Sequence, residues 1–125
     1  MTKVPLISIV DDDESVREAT KGLIRSLGYM AVTFASAEEF LRSNQVNDTA
    51  CLIADVQLLG MSGLELQRAL IAQGSRLPII FITSFPHANA RAQALAAGAL
   101  GYLSKPFIDE ELITHLDQAL AMRSC

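Results

Sequence analysis

Residues 50–55, ACLIAD, pass through five small or apolar side chains and end on an acid. A strand with one wet face alternates apolar and polar residues, whereas a strand that is covered on both faces does not. The stretch therefore predicts a central strand of a parallel sheet with helices on both sides. It also places Asp55 at the carboxyl end of that strand.

Four further apolar stretches accompany this one, and helical patterns separate them. The strands are predicted at residues 6–10, 30–34, 78–82 and 99–103, and the helices at about 13–27, 36–41, 62–74, 87–97 and from 109 onward. Five units of strand followed by helix, joined by short connections, predict a doubly wound α/β fold.

Residues at the helix ends support these bounds. Ser36 and Ser62 each stand three residues before a glutamate, which is the pattern of a capping box. Gly28 and Gly98 follow helical patterns and are expected to end them. The last helix is expected to bury the face that carries Leu112, Leu116, Ala119 and Leu120.

The length and composition limit the classes of protein to consider. A chain of 125 residues, 50% hydrophobic and 19% charged, predicts one globular domain over residues 1–125. The net charge of −4 argues against electrostatic binding of this segment to nucleic acid or to anionic lipid. Because neither a membrane-spanning stretch nor a signal peptide is evident, we expect a cytoplasmic protein without membrane contact.

The cysteines and histidines give no sign of a metal site. Cys51 and Cys125 lack a zinc-binding spacing, and Cys51 is expected to be buried and reduced. Cys125 is expected to be mobile, and a disulfide between the two stays open. His87 and His115 are expected at the surface, because neither has a ligand partner nearby in the sequence.

Polar residues follow the ends of four predicted strands. Residues 11–14 are acids after the first strand, Asp55 ends the third, Thr83 follows the fourth and Lys105 follows the fifth. Parallel strands end at one edge of a sheet, so these groups should meet there. Two carboxylates roughly 4 Å apart repel by about 4 kcal/mol at an effective dielectric constant near 20. Converging acids therefore require a cation or raised pKa values.

This group of side chains suits one kind of chemistry. Oxygen ligands favour Mg²⁺, with Mn²⁺ as a substitute. Lys105 supplies a compact cation for a phosphoryl oxygen, and the Thr83 hydroxyl supplies a hydrogen-bond donor. The set predicts phosphoryl transfer to Asp55, which would act as the carboxylate nucleophile.

Four motifs resemble those of the CheY-like receiver domains of bacterial two-component systems. They are residues 9–14 (IVDDDE), Asp55 with Gly63, residues 82–84 (ITS) and residues 105–107 (KPF), in the expected order over essentially the whole chain. The resemblance implies one flavodoxin-like (βα)5 domain whose five-stranded parallel sheet has the order 2-1-3-4-5. Whether the domain belongs to a longer regulator stays open.

The resemblance also implies the roles of the site residues. Asp55 would accept phosphate from a phosphohistidine of a sensor histidine kinase or a phosphotransfer protein, and Lys105 would pair with the phosphoryl group. Asp12, Asp55 and the backbone carbonyl of Gln57 would ligate Mg²⁺ directly, and Asp11 would act through water. Such a domain catalyses only its own phosphorylation and dephosphorylation.

A switch is implied as well. Thr83 would bond the phosphoryl group and Tyr102 would move inward behind it, which would change the surface of the fourth helix, fifth strand and fifth helix. Homodimerisation or effector contact is expected at that surface, with transcription as the output, and kinase docking is expected at the first helix. The Lys105–Pro106 bond is expected to be cis.

Two positions depart from the family's usual pattern. Leu59 stands where relatives usually have proline, which predicts a less rigid loop. The resemblance places Phe85 and Gln57 at the positions that tune hydrolysis of the phosphorylated aspartate in the family. Because a bulky apolar Phe85 would hinder the attacking water, we hypothesise a long-lived phosphoryl state.

Other interpretations compete with this one. Residues 11–14 could simply be an acidic helix start, which is the preferred interpretation for Asp13 and Glu14. A Mg²⁺-dependent phosphohydrolase would need an acid–base group two residues after Asp55, where Gln57 cannot titrate, and a cap for which this length leaves no room. An interaction module that no longer uses phosphate ranks lower, because every core site residue is present.

Overall fold

The structure, a computed structural model, describes residues 4–123, in which five strands alternate with five helices. In chain order they are β1 (Leu6–Val10), α1 (Glu14–Ser26), β2 (Met30–Phe34), α2 (Ala37–Arg42), β3 (Thr49–Asp55), α3 (Gly63–Ala72), β4 (Ile79–Thr83), α4 (Ala88–Ala96), β5 (Gly101–Ser104) and α5 (Asp109–Arg123). None of the helices in this range is long and apolar enough to cross a membrane.

The strands form one parallel sheet in the order β2-β1-β3-β4-β5, which confirms the predicted fold. All seven residues of β3 are buried, as its sequence predicts for the central strand. Val10 pairs with Ala54, and Asp55 pairs with Ile82. The carboxyl ends of β1, β3 and β4 are therefore level with one another at one edge of the sheet.

The side chains of β3 point alternately into two hydrophobic cores, one on each face of the sheet. Ile53 contributes to the core beneath α1 and α5, whereas Leu52 and Ala54 contribute to the core beneath α2, α3 and α4. The predicted inner face of α5 is confirmed, with three residues fully buried and Leu120 packed against them. The buried three are Leu112, Leu116 and Ala119.

Local hydrogen bonds account for the helix starts. Asp13 caps α1 by accepting from the Ser15 and Val16 amides, and Ser62 forms a complete capping box with Glu65. Ser36 caps α2 by accepting from the Glu39 amide. The start of β5 was predicted two residues too early. The Ala99 amide donates to the carbonyl of Ala94, so Ala99 belongs to the turn that closes the end of α4.

The histidine prediction is half right. His87 is exposed at the start of α4, but His115 is half-buried, and its ring packs so closely on Gly101 that a Cβ there would lie 2.8 Å from Cδ2. The His115 Nδ1 is buried, without a hydrogen-bond partner in the described part of the chain. The prediction failed because sequence neighbours do not reveal that α5 packs on a glycine of β5.

The cysteine prediction concerns one residue inside the described range and one outside it. Cys51 is a free, buried thiol, and burial raises its pKa to about 12. Cys125 lies outside the described residues.

Gly63 allows α3 to begin against the end of β3. Its amide donates to the Val56 carbonyl at 2.9 Å. A Cβ at this position would collide with the Asp55 carbonyl oxygen and would lie 2.9 Å from the Cα of Val56 and 3.1 Å from the Phe81 ring. Because two of these neighbours are backbone, only glycine fits without moving the helix away from the site.

We expect Gly63→Ala to lower the free energy of unfolding by about 2 kcal/mol, the usual cost of overpacking a tight core. Urea denaturation measures this change. Gly22→Ala is the matched control, because Gly22 is exposed in α1 and a Cβ there meets nothing within 4 Å. That variant should gain up to about 1 kcal/mol from helix propensity. Equal stability of the two variants would contradict the argument.

Candidate functional site

The edge of the sheet formed by the strand ends collects the predicted acids and the predicted lysine. Asp11 follows β1 directly, Asp55 is the last residue of β3, and Lys105 follows β5. Asp11 is fully buried, and Asp55 is 6% exposed. The Lys105–Pro106 peptide bond, expected to be cis from the sequence, is cis.

Lys105 joins the two buried acids. Its Nζ donates to Oδ2 of Asp11 and to Oδ2 of Asp55, at 2.8 Å in each case. Burial alone would lower the pKa of Lys105, but the hydrogen bonds to the two carboxylates outweigh it and the net shift is upward. Lys105 is therefore a fixed positive charge at neutral pH, held between two acids.

Asp11, Asp12 and Asp55 form a cluster of carboxylates. One oxygen of each lies within 4.8 Å of the others. The pKa of Asp11 is raised, mainly by its burial, although the hydrogen bond from Lys105 opposes the rise. The single positive charge of Lys105 does not neutralise the negative charge of three carboxylates. Oxygen-only donors with surplus negative charge are the set that a hard divalent cation such as Mg²⁺ prefers, so these residues fit that metal.

Asp13 and Glu14 stand apart from this cluster, as predicted. The Asp13 carboxylate caps α1, at 2.9 Å from the Ser15 amide, and Glu14 is exposed in the first turn. Both acids therefore lie at the N-terminal end of α1, where the helix dipole stabilises negative charge. One run of acids thus serves two purposes. The acids directly after the end of β1 at Val10 join the cluster, and those at the start of α1 at Glu14 stabilise the helix.

The segment that follows Asp55 is bonded to the acids. We call residues 56–62 the β3–α3 loop. The Gln57 amide donates to Asp55 Oδ1 at 2.9 Å, and the Leu59 amide donates to Asp12 Oδ2 at 3.3 Å. Gln57 is exposed and the Leu59 side chain is 81% exposed. The loop thus lies against the acid cluster by its backbone.

Thr83, Tyr102 and Phe85 lie on the β4 and β5 side of the site. Thr83 is fully buried at the end of β4, and its Oγ1 accepts from the Phe85 amide at 3.1 Å. The Phe85 side chain is 64% exposed. Tyr102 is half-buried with its ring centroid 6.4 Å from that of Phe81. Its hydroxyl is buried without a hydrogen-bond partner among residues 4–123.

Two further residues support the site and were not predicted to do so. Arg17 Nη1 donates to the backbone carbonyl of Asp11 at 2.8 Å. Glu38 Oε2 accepts from the Met61 amide in the β3–α3 loop at 3.0 Å. In the sequence, Glu38 is only one acid near the start of the helix predicted at about 36–41. Nothing local to the sequence shows that its side chain crosses to another loop.

A groove borders the site on the face of α1. Its volume is about 660 Å³, and α1 lines one wall while the segment after β5 lines the other. The walls are largely apolar, with Val16, Leu23 and Phe107 among the lining residues, and Lys105 also lines the groove.

Comparisons with known proteins agree on one family. The family model described as the response regulator receiver domain matches residues 7–117. The response regulator protein TodT of Pseudomonas putida is 42% identical over 122 residues, which cover 96% of this chain and 53% of that protein. The transcriptional regulatory protein TdiR of Thauera aromatica is 37% identical over 116 residues, which cover 93% of this chain and 51% of that protein.

Solved structures agree as well. The response regulator StyR has a TM-score of 0.88 and 37% identity, and the match covers 98% of this chain and 62% of that one. The structure titled FixJ-N has a TM-score of 0.84 and 30% identity, with 96% of each chain covered. The chain spans about half the length of the curated relatives it matches. Together with the strand order and the acid cluster, these matches show that the chain belongs to the response regulator receiver domain family.

Proposed function

We propose that Asp55 accepts a phosphoryl group from the phosphohistidine of a sensor histidine kinase or a phosphotransfer protein, and that this transfer switches the surface of α4, β5 and α5. The observation that carries the proposal is the position of Lys105 Nζ, 2.8 Å from both Asp55 and the fully buried Asp11. A cation in contact with the acceptor carboxylate also lies next to any group that the carboxylate receives.

The acid cluster would bind Mg²⁺ through Asp12, Asp55 and the Gln57 backbone carbonyl, with Asp11 acting through water. Mn²⁺ would suit the same oxygen ligands. When bound, the ion supplies positive charge that offsets the charge of the transferring phosphoryl group. The proximity of three carboxylates supports this assignment, because without a cation their mutual repulsion disfavours the arrangement.

In the transfer, an oxygen of Asp55 attacks phosphorus in line, a P–O bond forms, and the P–N bond to the donor histidine breaks. Lys105 would exchange its bond to Asp55 for one to a phosphoryl oxygen and would keep its bond to Asp11. Its raised pKa supports this role, since the ammonium stays protonated throughout the neutral range. The groove beside α1, which Lys105 lines, is where we place the docking of the donor protein.

The switch would run through Thr83 and Tyr102. The Tyr102 hydroxyl is buried without a hydrogen-bond partner among residues 4–123, which costs about 1–3 kcal/mol, so the ring is only weakly favoured in its present position. Helix α4 is held by few contacts: it has no side-chain cap, Ala94 is its one buried residue, and the Ala94 carbonyl accepts from Gln67 Nε2 of α3 at 3.1 Å. Both features support a surface that changes easily, where we place a homodimer or effector contact. Transcription is the proposed output, since TdiR is named as a transcriptional regulatory protein.

Incubation with acetyl phosphate and Mg²⁺ should add one phosphoryl group of about 80 Da, detected by intact mass. We expect Asp55→Asn to take up none, because an amide cannot act as the nucleophile. Asp13→Asn is the matched control, since Asp13 only caps α1 and asparagine caps equally well. An adduct that survives Asp55→Asn, or that forms equally without Mg²⁺, would contradict the proposal.

We expect Phe85→Glu to shorten the lifetime of the phosphoryl group on the order of tenfold, which corresponds to about 1.4 kcal/mol in the barrier. A carboxylate can orient water, whereas the exposed phenyl ring excludes it. The decay is followed by intact mass after acetyl phosphate is removed. Ile71→Glu is the control, because Ile71 is 50% exposed in α3. No acceleration in Phe85→Glu would refute the long-lived state.

A further inference from the structure

Four carboxylates hold the backbone of the β3–α3 loop. Two belong to the acid cluster, since Asp55 accepts from the Gln57 amide and Asp12 accepts from the Leu59 amide. The other two are Glu38, which accepts from the Met61 amide at 3.0 Å, and Glu65, which accepts from the Ser62 amide at 2.9 Å. The loop that carries the Gln57 carbonyl is thus held by four acids, each of which accepts a hydrogen bond from a different backbone amide.

These four anchors differ in what else they do. Asp55 and Asp12 are proposed to take part in metal binding and phosphoryl transfer, so their bonds to the loop compete with that chemistry. Glu65 belongs to the capping box of α3 and holds only the last loop residue. Glu38 is the anchor that reaches the loop from another element, α2, and that has no proposed role in the chemistry itself.

The surroundings of Glu38 fit a permanent contact. Its Oε2 would lie 2.6 Å from a Cβ at Gly60, whose φ is +79°, so the loop wraps closely over the carboxylate. Its Oε1 is buried and accepts no hydrogen bond from the described residues. The bond from the Met61 amide is the main cause that lowers the pKa of the Glu38 carboxyl, and Glu38 is therefore ionised at neutral pH.

The loop needs such an anchor because its own residues give it little rigidity. Leu59 stands where relatives usually have proline, and it lacks the proline ring that would restrict its backbone. Its side chain is 81% exposed and contributes little packing. Gly60, the next residue, is of the most flexible residue type. Met61 in contrast packs against the core beneath α3. A fixed amide at Met61 therefore limits the movement of residues 57–60, which lie between it and Asp55.

We propose that Glu38 is a positioning residue for the metal site, whose carboxylate holds the β3–α3 loop so that the Gln57 carbonyl stays in place to ligate Mg²⁺. This inference rests on the proposed function above and adds to it a residue outside the acid cluster.

Two variants of Glu38 distinguish the effect of its side-chain length from the effect of its negative charge. Glu38→Asp keeps the charge but withdraws the carboxylate from Met61, and we expect it to raise the Kd for Mg²⁺ about tenfold, as loss of a charge-assisted hydrogen bond implies. Glu38→Gln loses the charge but keeps an acceptor at the same reach, and the Kd should stay within about threefold of the unmodified chain. Calorimetric titration with MgCl₂ measures both.

The same variants give two readouts that general destabilisation would not produce together. In acetyl phosphate reactions, Glu38→Asp should need about tenfold more Mg²⁺ for half-maximal phosphorylation but reach the unmodified rate at saturation. Amide hydrogen exchange should accelerate at Met61 and not at Leu52, whose amide donates to Pro78 within the sheet. Glu39→Asp and Glu39→Gln are the matched controls, because Glu39 is exposed on the next position of α2.

Each outcome decides the inference. Weaker Mg²⁺ binding in Glu38→Asp with near-normal binding in Glu38→Gln supports it. Weaker binding that follows charge loss, in Glu38→Gln and Glu39→Gln alike, overturns it in favour of a general electrostatic effect. Unchanged Mg²⁺ binding in Glu38→Asp, with faster Met61 exchange, also overturns it. If the unmodified chain took up no phosphoryl group at Asp55, the proposed function would fail, whereas the calorimetric comparison would still test Glu38.

Discussion

The Lys105 ammonium, held at 2.8 Å from both Asp11 and Asp55, is the contact on which the rest of the site depends. Neighbouring strands lie about 4.8 Å apart, so β5 is roughly 10 Å from β3 and 14 Å from β1. The Lys105 amide donates to the Thr83 carbonyl at 2.8 Å, so the residue lies beside the end of β4 and its long side chain reaches across that strand to both acids. Without this cation, a fully buried Asp11 would face Asp55 uncompensated, which is among the most costly arrangements in a protein interior.

The backbone of the site is organised by the same acids. Carboxylates accept hydrogen bonds from amides of the β3–α3 loop, and the Asp11 carboxylate accepts from the Asp13 amide at 2.9 Å. Each such bond stabilises an ionised acid and restrains a loop at once. The sheet supplies the rigid edge, and Gly63 brings α3 close enough to shorten the loop that spans the site. A receiver domain is a signalling switch, and the hydrogen bonds between its acids and its loops lie here on the β1 and β3 side.

The parallel sheet and the principal site could be predicted because both follow from local patterns, whereas the strand order came from the resemblance of four motifs to receiver domains. The unbroken apolar run that ends at Asp55 predicts a central strand, and the acids and the lysine follow strand ends, which meet at one edge. Contacts that depend on the exact path of a loop could not be predicted from the sequence. Glu38 looks like any acid in a first helical turn, and only the folded chain shows that it accepts from Met61. His115 likewise gave no sign of its close packing on Gly101.

The hydrogen bond from the Phe85 amide to Thr83 explains how a change at Asp55 could reach α4. A hydroxyl has one hydrogen to donate and two lone pairs that accept. Thr83 already accepts from Phe85, so it could donate to a phosphoryl oxygen without giving up that bond. A shift of Thr83 toward Asp55 would therefore draw the Phe85 backbone with it and pull on the start of α4. The start of α4 lacks a side-chain cap, and the contacts that hold the helix lie at Ala94, toward its other end, so the start offers little resistance. Phosphorylation would thus move the start of α4, while Lys105 keeps its bond to Asp11.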